Sequence, residues 1–584
     1  MLGIFGKTYS QVFEILPANF KKKFLRMQVL ILFTGVVDLF GLAAFVPVLS
    51  AVANPQIISS NRFFSSLKHF LNVESNNHFL LILFVGAFFF FFLRSVFILY
   101  SQWLQSKFVF VLSEYIGEKA YRYYMDLDYQ TFQKKQSAEI IRELTLSPQH
   151  FSKFLVMPLL LLSAEMLIVV LIITGIAMFD IKVFLLLIVT IFPAAFIFHR
   201  LVKKRLKHYG EEQNRETPKL YSNSNRGING FIDVKLRNKE SVLIDDYIGV
   251  FKKLNRINVV TTTLNIFPAK LFELVTVGGL MVIFIYGAFM ANNPAVVIPL
   301  IAVYAAAGYR IIPSLSKVIP ALMQLEQFSY LFGIYNAPLK SNVEANYKKQ
   351  DEVSFEKAIE LNGISFRFKE EAECFISNMN LTIKKGEVVG VIGKSGSGKS
   401  TLVKIITGFL RAEKGALTVD GVSIDDRNMR SWMNHISYVQ QSPYLEKGSL
   451  ASNIAFLETN IDLVRLNKVI GMASLTSLVN GRNPLDIAID EDGKNLSGGQ
   501  KQRILIARAL YHNSQLIIFD EATSALDNQT EEEVNETLKQ IKGTGVTIII
   551  IAHRYSTLIH TDRILQFNDN NELEETNYLK LQSM

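Results

Sequence analysis

A chain of 584 residues is too long for one ordinary domain. Its 49% hydrophobic content, with 44 phenylalanines, excludes a wholly soluble protein and points to membrane spans. The formal net charge of +9 suits the cytoplasmic lysines and arginines of a membrane protein as well as it suits a nucleic-acid binder. One cysteine, Cys374, excludes an intrachain disulfide or a multi-cysteine metal site.

The first 26 residues carry Lys21, Lys22 and Lys23 directly before a hydrophobic run far longer than a signal core, so no cleavable signal is expected. Six apolar stretches are long enough to span a bilayer, near 27–52, 78–106, 157–179, 182–200, 264–290 and 294–325. Phe179-Asp180-Ile181 and Asn292-Asn293 are tight turns, whereas 107–156 and 201–263 are long, polar and basic. Lysine and arginine favour the cytoplasmic side, which places both termini and these two long segments inside. The absence of turn signals over 107–130 and 201–263 predicts spanning helices that continue into the cytoplasm, with coupling helices near 125–135 and 210–225. The phenylalanine run at 88–92 is read as a lipid-facing or packing stripe.

Asp38, Arg94, Glu165, Lys270, Glu273, Arg310 and Lys317 fall within or close to these spans. A charge at mid-bilayer costs roughly 2.5–3.5 kcal/mol, so each must pair with another or face a wet cavity. Lys270 stands three residues from Glu273, which leaves both readings open. Arg310 has no acid within a turn and shares a helix face with Ser314 and Lys317, which favours a cavity. Pro313 can loosen the helix beside them.

Residues 1–336 therefore read as the membrane domain, 337–355 as a linker rich in turn-forming and charged residues, and 356–584 as a soluble α/β domain. Within the last, Gly393-Lys394-Ser395-Gly396-Ser397-Gly398-Lys399-Ser400, followed by Thr401, follows a short apolar run and precedes a helix. Glycines let successive backbone N–H groups point at phosphate oxygens. Lys399 adds charge at the β- and γ-phosphates, Ser400 offers a hydroxyl to Mg²⁺, and the helix N-terminus faces the nucleotide. The apolar run Leu516-Ile517-Ile518-Phe519 ends in Asp520 and Glu521. Asp520 suits Mg²⁺ through water, and Glu521 is placed to polarise an attacking water. Ser497-Gly498-Gly499-Gln500 opens a helix over 501–510 and is either a capped turn or a second anion-binding terminus.

Together these motifs resemble the ATP-binding cassette family, of which Leu496-Ser497-Gly498-Gly499-Gln500 is the hallmark. The resemblance implies that Ser497, Gly498, Gly499 and Gln500 close over ATP, and that Asp527 in Ser524-Ala525-Leu526-Asp527 touches the opposite subunit. It makes His553 the switch histidine, Gln441 the glutamine joining Mg²⁺ to the membrane domain, and Phe368 the aromatic that stacks on adenine. Glu491 lies near a family loop from which Asp490-Glu491-Asp492-Gly493 departs. Six spans and one cassette per chain imply the exporter half-transporter arrangement, a domain-swapped homodimer in which each phosphate loop meets the partner's signature. ATP and Mg²⁺ are the implied cofactors.

Segments of the membrane half, Gln133-Lys134-Lys135-Gln136-Ser137-Ala138-Glu139-Ile140-Ile141-Arg142, Ser163-Ala164-Glu165 and Tyr309-Arg310-Ile311-Ile312-Pro313-Ser314, resemble the lipid-linked oligosaccharide flippases of bacterial protein N-glycosylation, as does Asp492-Gly493-Lys494-Asn495-Leu496-Ser497 in the cassette. The expected substrate is then an anionic glycolipid, met in a cavity by Arg94, Lys270, Arg310 and Lys317, and the expected site is the bacterial inner membrane. Guanidinium groups bind diphosphate bidentately and stay charged when partly desolvated. An exporter of peptides or hydrophobic drugs with the same fold is the alternative; a soluble cassette ATPase acting on nucleic acid is opposed by the six spans.

Overall fold

The computed structural model describes residues 2–43, 51–52, 56, 58, 61–179, 181–289, 297–341, 351–368, 374–441, 443–521, 528–552, 554–568 and 570–578. Two compact units emerge: Met1–Leu127 with Gln133–Asn342, and Asp128–Phe132 with Val343–Met584.

The first unit is helical. Its main helices are α1 (Leu2–Ile15), α2 (Ala18–Ala43), α3 (Asn76–Met125), α4 (Ser137–Phe151), α5 (Met157–Phe179), α6 (Ile181–Asn229), α7 (Glu240–Phe289), α8 (Val297–Gln327) and α9 (Leu331–Lys340). The described residues of the apolar stretches near 78–106, 157–179, 182–200, 264–290 and 294–325 fall on α3, α5, α6, α7 and α8, and the helices α3, α6 and α7 run 50, 49 and 50 residues. Such lengths far exceed a bilayer crossing at about 1.5 Å per residue. Helix α3 runs unbroken to Met125, and α6 to Asn229 before a break around Gly230. Among the described residues three helices are long and apolar enough to cross a membrane: Asn76–Met125, Ser137–Met178 and Glu240–Ile285. The expected spans at 27–52, 182–200 and 294–325 each include residues or side chains outside the described ones. Helix α9 carries Pro338 and continues to Lys340, into the stretch read from sequence as a linker.

Between α4 and α5 the chain forms a π turn over Ser152–Val156, with Met157 N–H reaching back five residues to Ser152. Pro158 has no N–H for the carbonyl four residues back, so the ladder widens here. Among the described residues the two larger apolar cores of this unit are these. One gathers Phe24, Leu112, Ile116, Leu155, Leu159 and Leu322, and the other gathers Phe198, Phe272, Tyr304 and Ile319. The phenylalanines at 88, 89, 90 and 92 are exposed, as a lipid-facing stripe requires.

The second unit is α/β. Its strands are β1 (Ala358–Phe366), β2 (Ile376–Lys384), β3 (Val388–Ile392), β4 (Lys414–Val419), β5 (Val422–Ser423), β6 (Ile436–Val439), β7 (Gly448–Ser449), β8 (Ala488–Ile489), β9 (Leu516–Asp520), β10 (Thr547–Ile551), β11 (Arg563–Phe567) and β12 (Leu573–Thr576). A sheet in the order β2-β1-β4-β5 is antiparallel, while the larger sheet runs β12-β11-β3-β10-β9-β6. Its inner strands are parallel and buried on both faces, which is why Thr547-Ile548-Ile549-Ile550-Ile551 and Val388-Val389-Gly390-Val391-Ile392 read as unbroken β-branched or apolar runs. Helices α10 (Lys399–Ile406), α11 (Gly498–Tyr511) and α12 (Asn528–Lys542) pack beside this sheet.

Candidate nucleotide site and membrane cavity

In a parallel sheet, ligands gather beyond the carboxyl ends of the strands. The phosphate loop leaves the end of β3, and Asp520 and Glu521 leave the end of β9, with β10 between them. The loop owes its shape to glycine: φ is +84° at Gly396 and +109° at Gly398, values a side chain resists. At Gly393 a Cβ would come within 2.6 Å of Ser397 Oγ and 3.0 Å of Phe567 Cβ. Lys399 begins α10 and folds back, its Nζ donating to the carbonyls of Gly393 at 2.8 Å and Lys394 at 2.9 Å. Burial pushes its ammonium below the usual lysine range, against the opposing pull of Glu521 and Asp520. Ser395 is exposed, Ser400 is half-buried and Thr401 is buried in the first turn of α10. Ser397 Oγ is buried without a hydrogen-bond partner. A glycine-built cradle, an orphaned hydroxyl and a lysine turned inward fit a polyphosphate.

Glu521 sits at φ +52°, in the left-handed region that non-glycine residues avoid. Its N–H donates to the carbonyl of Ile551 at 3.0 Å, so the turn after β9 is tied to the end of β10. His553 follows two residues later and lies outside the described residues, as does Asp527. Asp520 accepts a hydrogen bond from Tyr438, a residue the sequence reading passed over because the contact is made across neighbouring strands. Phe368 is half-buried, its ring edge-on to Phe366 at 4.9 Å and to Phe375 at 5.4 Å. Phe375 in turn lies 3.4 Å from where a Cβ on Gly398 would stand, so the aromatic cluster adjoins the loop. Gln441 is exposed, and its carbonyl accepts from Gln502 at 3.4 Å.

The signature stands elsewhere. Ser497 caps α11 in a capping box, accepting from Gln500 N–H at 3.2 Å while Gln500 Oε1 accepts from Ser497 N–H at 2.9 Å. Both readings of the motif, cap and anion-binding terminus, are compatible with this geometry. Gly499 is buried and Gly498 exposed. Side chains alternate across a strand, and here the alternation divides the two helices. Val388, Ile517, Phe519, Ile548 and Ile550 join Ile504 and Ile506 of α11 in one core. Val389, Val391, Ile518, Ile549 and Ile551 join Leu402, Val403 and Ile406 of α10 in the other. The phosphate loop's helix and the signature's helix therefore lie on opposite faces of the same sheet.

Residues 128–132 belong to the cassette unit although they lie between α3 and α4 in sequence. Tyr129 packs its ring 5.6 Å from Phe409 and 5.0 Å from Lys404 Nζ. Close by in sequence, the buried Arg142 donates to the carbonyl of Asn214 on α6 at 2.7 Å and to Glu143 at 3.1 Å. Tyr335 on α9 donates to the Glu143 carbonyl at 2.6 Å, and Tyr124 on α3 to its carboxylate. Four helices thus meet on one buried polar hub.

Three of the membrane cations make ion pairs. Arg94 pairs with Asp38. Lys317 binds Glu165 at 2.6 Å, and Lys270 binds Glu273 at 2.9 Å. The helix that carries Arg310 is described, but its side chain lies outside the described residues. A cavity of about 560 Å³ does open among α5, α6 and α8, lined by Val169, Ile173, Ile188, Phe192, Leu315 and others, all apolar. Arg94, Lys270 and Lys317 do not line it. The cost of an unpaired charge in hydrocarbon explains why these cations turned to neighbouring acids.

A parallel-sheet phosphate site joined on one chain to a bundle of bilayer-length helices defines a membrane-bound nucleotide-binding cassette. Residues 376–524 match the family model described as ABC transporter, and residues 40–306 match that of the ABC transporter transmembrane region. The chain belongs to the ABC transporter family. It is 36% identical over 224 residues to an ATP-dependent lipid A-core flippase of Saccharophagus degradans, covering 38% of each chain. It is 39% identical over 227 residues to the leukotoxin translocation ATP-binding protein LktB of Mannheimia glucosida, covering 38% of this chain and 32% of that one. The matches thus span under two fifths of these relatives' lengths. The fold is that of a bacterial Atm1-family ABC exporter solved with ATP bound, at a TM-score of 0.76 over 97% of both chains and 20% identity.

Proposed function

We propose that two copies of this chain form an ATP-hydrolysing exporter in a bacterial inner membrane, with both termini cytoplasmic, that moves an anionic glycolipid of the lipid-linked oligosaccharide kind to the outer leaflet. The observation that carries this reading is the opposite-face placement of phosphate loop and signature. One chain offers each half of a nucleotide clamp on a different side of its sheet, and a symmetric pair of chains supplies the missing half twice. Gly393, Ser395, Gly396, Gly398, Lys399 and Thr401 would hold the phosphates of ATP, Phe368 its base, and Ser400, Gln441 and Asp520 the Mg²⁺. Mg²⁺ supplies charge neutralisation on the phosphate oxygens. Glu521, held by its backbone bond to Ile551, would take the proton of the attacking water, and His553, outside the described residues, is proposed to contact the terminal phosphate. Ser497, Gly498, Gly499 and Gln500 of the second copy close over the same nucleotide, with Asp527 at the contact. Closure pulls the helical unit through residues 128–132, which already pack with the cassette.

A relative named as a lipid A-core flippase supports the glycolipid, and the apolar cavity offers room for hydrocarbon. Arg310 remains the cation proposed to meet the headgroup. Relatives named for leukotoxin translocation favour a peptide cargo as the second reading. ATPase stimulation in nanodiscs separates the two: stimulation by a polyprenyl-diphosphate glycan supports the flippase, while stimulation by peptide or hydrophobic cation alone overturns it. Arg310→Ala should lower flipping far more than basal ATPase; unchanged flipping would remove Arg310 from the substrate path.

A further inference from the structure

Tyr438 has no part in the function proposed above. It is the third residue of β6 and is registered against Ile518 of the parallel strand β9. Residues two apart on a strand share a face, so Ile518 and Asp520 point the same way. Tyr438 packs against the core that holds Ile518 and α10, so it lies on that face too. One pleat advances roughly 6.6 Å along the strand. A phenol laid along the sheet from Tyr438 covers that step and delivers its O–H to the carboxylate one pleat ahead, Oδ2 of Asp520. The bond is directional. It ties one carboxylate oxygen to the sheet and leaves Oδ1 for the water of a metal ion.

We propose that Tyr438 is a positioning residue for the metal-facing carboxylate, fixing the rotamer of Asp520 through its hydroxyl. The proposal rests on the ATP- and Mg²⁺-binding reading above. Its signature is a change in metal dependence, since nucleotide phosphates are held by the loop and not by Asp520. The test uses the full-length chain in nanodiscs. The fluorescent analogue TNP-ATP is titrated in EDTA, and ATP turnover is then measured against free Mg²⁺. In Tyr438→Phe, TNP-ATP affinity in EDTA should stay within about twofold of wild type, while half-saturating Mg²⁺ rises about tenfold, the scale seen when an outer partner of a metal ligand is lost. Adding Tyr438→Phe to Asp520→Asn should raise it no further, because the two act as one unit. An unchanged Mg²⁺ half-saturation in Tyr438→Phe, even with a lowered melting temperature, would make the hydroxyl merely structural and overturn this proposal alone. Failure of the wild-type chain to bind TNP-ATP in EDTA would instead overturn the phosphate-loop reading and this proposal with it.

Discussion

Charged residues behave differently in the two halves of this molecule. In the cassette, Lys399 turns toward its own loop carbonyls, Asp520 toward a phenol, and Glu521 occupies a strained backbone, all at or beyond the carboxyl ends of parallel strands in one sheet. In the membrane half, Arg94, Lys270 and Lys317 each turn to an acid. Solvent lets the cassette keep groups poised for a ligand, whereas hydrocarbon forces a charge to find a partner within the protein. An intramembrane charge is therefore weaker evidence for a ligand than a charge at a strand end.

The largest test of this contrast lies at Glu521. Glu521→Gln keeps size and hydrogen bonding but removes the base, so turnover should fall on the order of 10²–10⁴-fold with TNP-ATP binding retained. Hydrolysis at the wild-type rate would move the base elsewhere and weaken the claim that the cassette's acids are poised for chemistry.

The same contrast governs what could be read in advance. The phosphate loop, the two acids after β9 and the signature were recognisable because each is a local run with its own backbone logic. Tyr438, Phe375 and Phe567 were not, since they reach the site only through strand register and close packing. Phosphate loop and signature are both visible as motifs, yet their separation onto opposite faces emerges only from the sheet. In the membrane half the long helices could be read from hydropathy and missing turn signals. The pairing of Lys317 with Glu165, 152 residues away, could only be one option among several.

Helix packing in the membrane half gives the next effect. A Cβ on Gly210 of α6 would collide with the backbone carbonyl of Gln327 at the end of α8. Backbone cannot yield as a side chain can, so Gly210→Ala should destabilise the chain by about 2–3 kcal/mol, seen as a lower melting temperature in detergent. Wild-type stability would mean that the two helices do not meet so closely in the assembled transporter.

The ion pairs themselves can be broken. Glu165 is 6% exposed at its side chain, whereas Lys317 is 54% exposed. Lys317→Met leaves the buried carboxylate alone and should cost about 2 kcal/mol, while the double change Lys317→Met with Glu165→Gln should recover most of that. If Lys317→Met melts like wild type but loses flipping, Lys317 belongs to the substrate path, and the contrast between the halves narrows.

The smallest effect returns to the cassette, where a carboxylate serves structure alone. Asp420, at φ +51° between β4 and β5, accepts backbone N–H bonds from Glu356, from Lys357 at 2.7 Å and from Ala358 at 2.8 Å, closing the start of β1 onto the β4–β5 turn. Burial raises its pKa, but the three N–H donors and the charge of Lys357 outweigh burial and hold the carboxyl below its usual range. A folded pKa below the unfolded one means that the stabilisation is complete above the ordinary aspartate value of about 4 and fades as pH falls through the folded value. Asp420→Asn keeps one acceptor and loses the charge, so it should cost about 1 kcal/mol at pH 7 and close to nothing at the acid end. Thermal unfolding of the full chain in detergent across that acid range reads the difference directly. Equal pH slopes for variant and wild type would show that the N–H cluster does not distinguish charged from neutral. The cassette's acids would then be no better placed than those in the membrane.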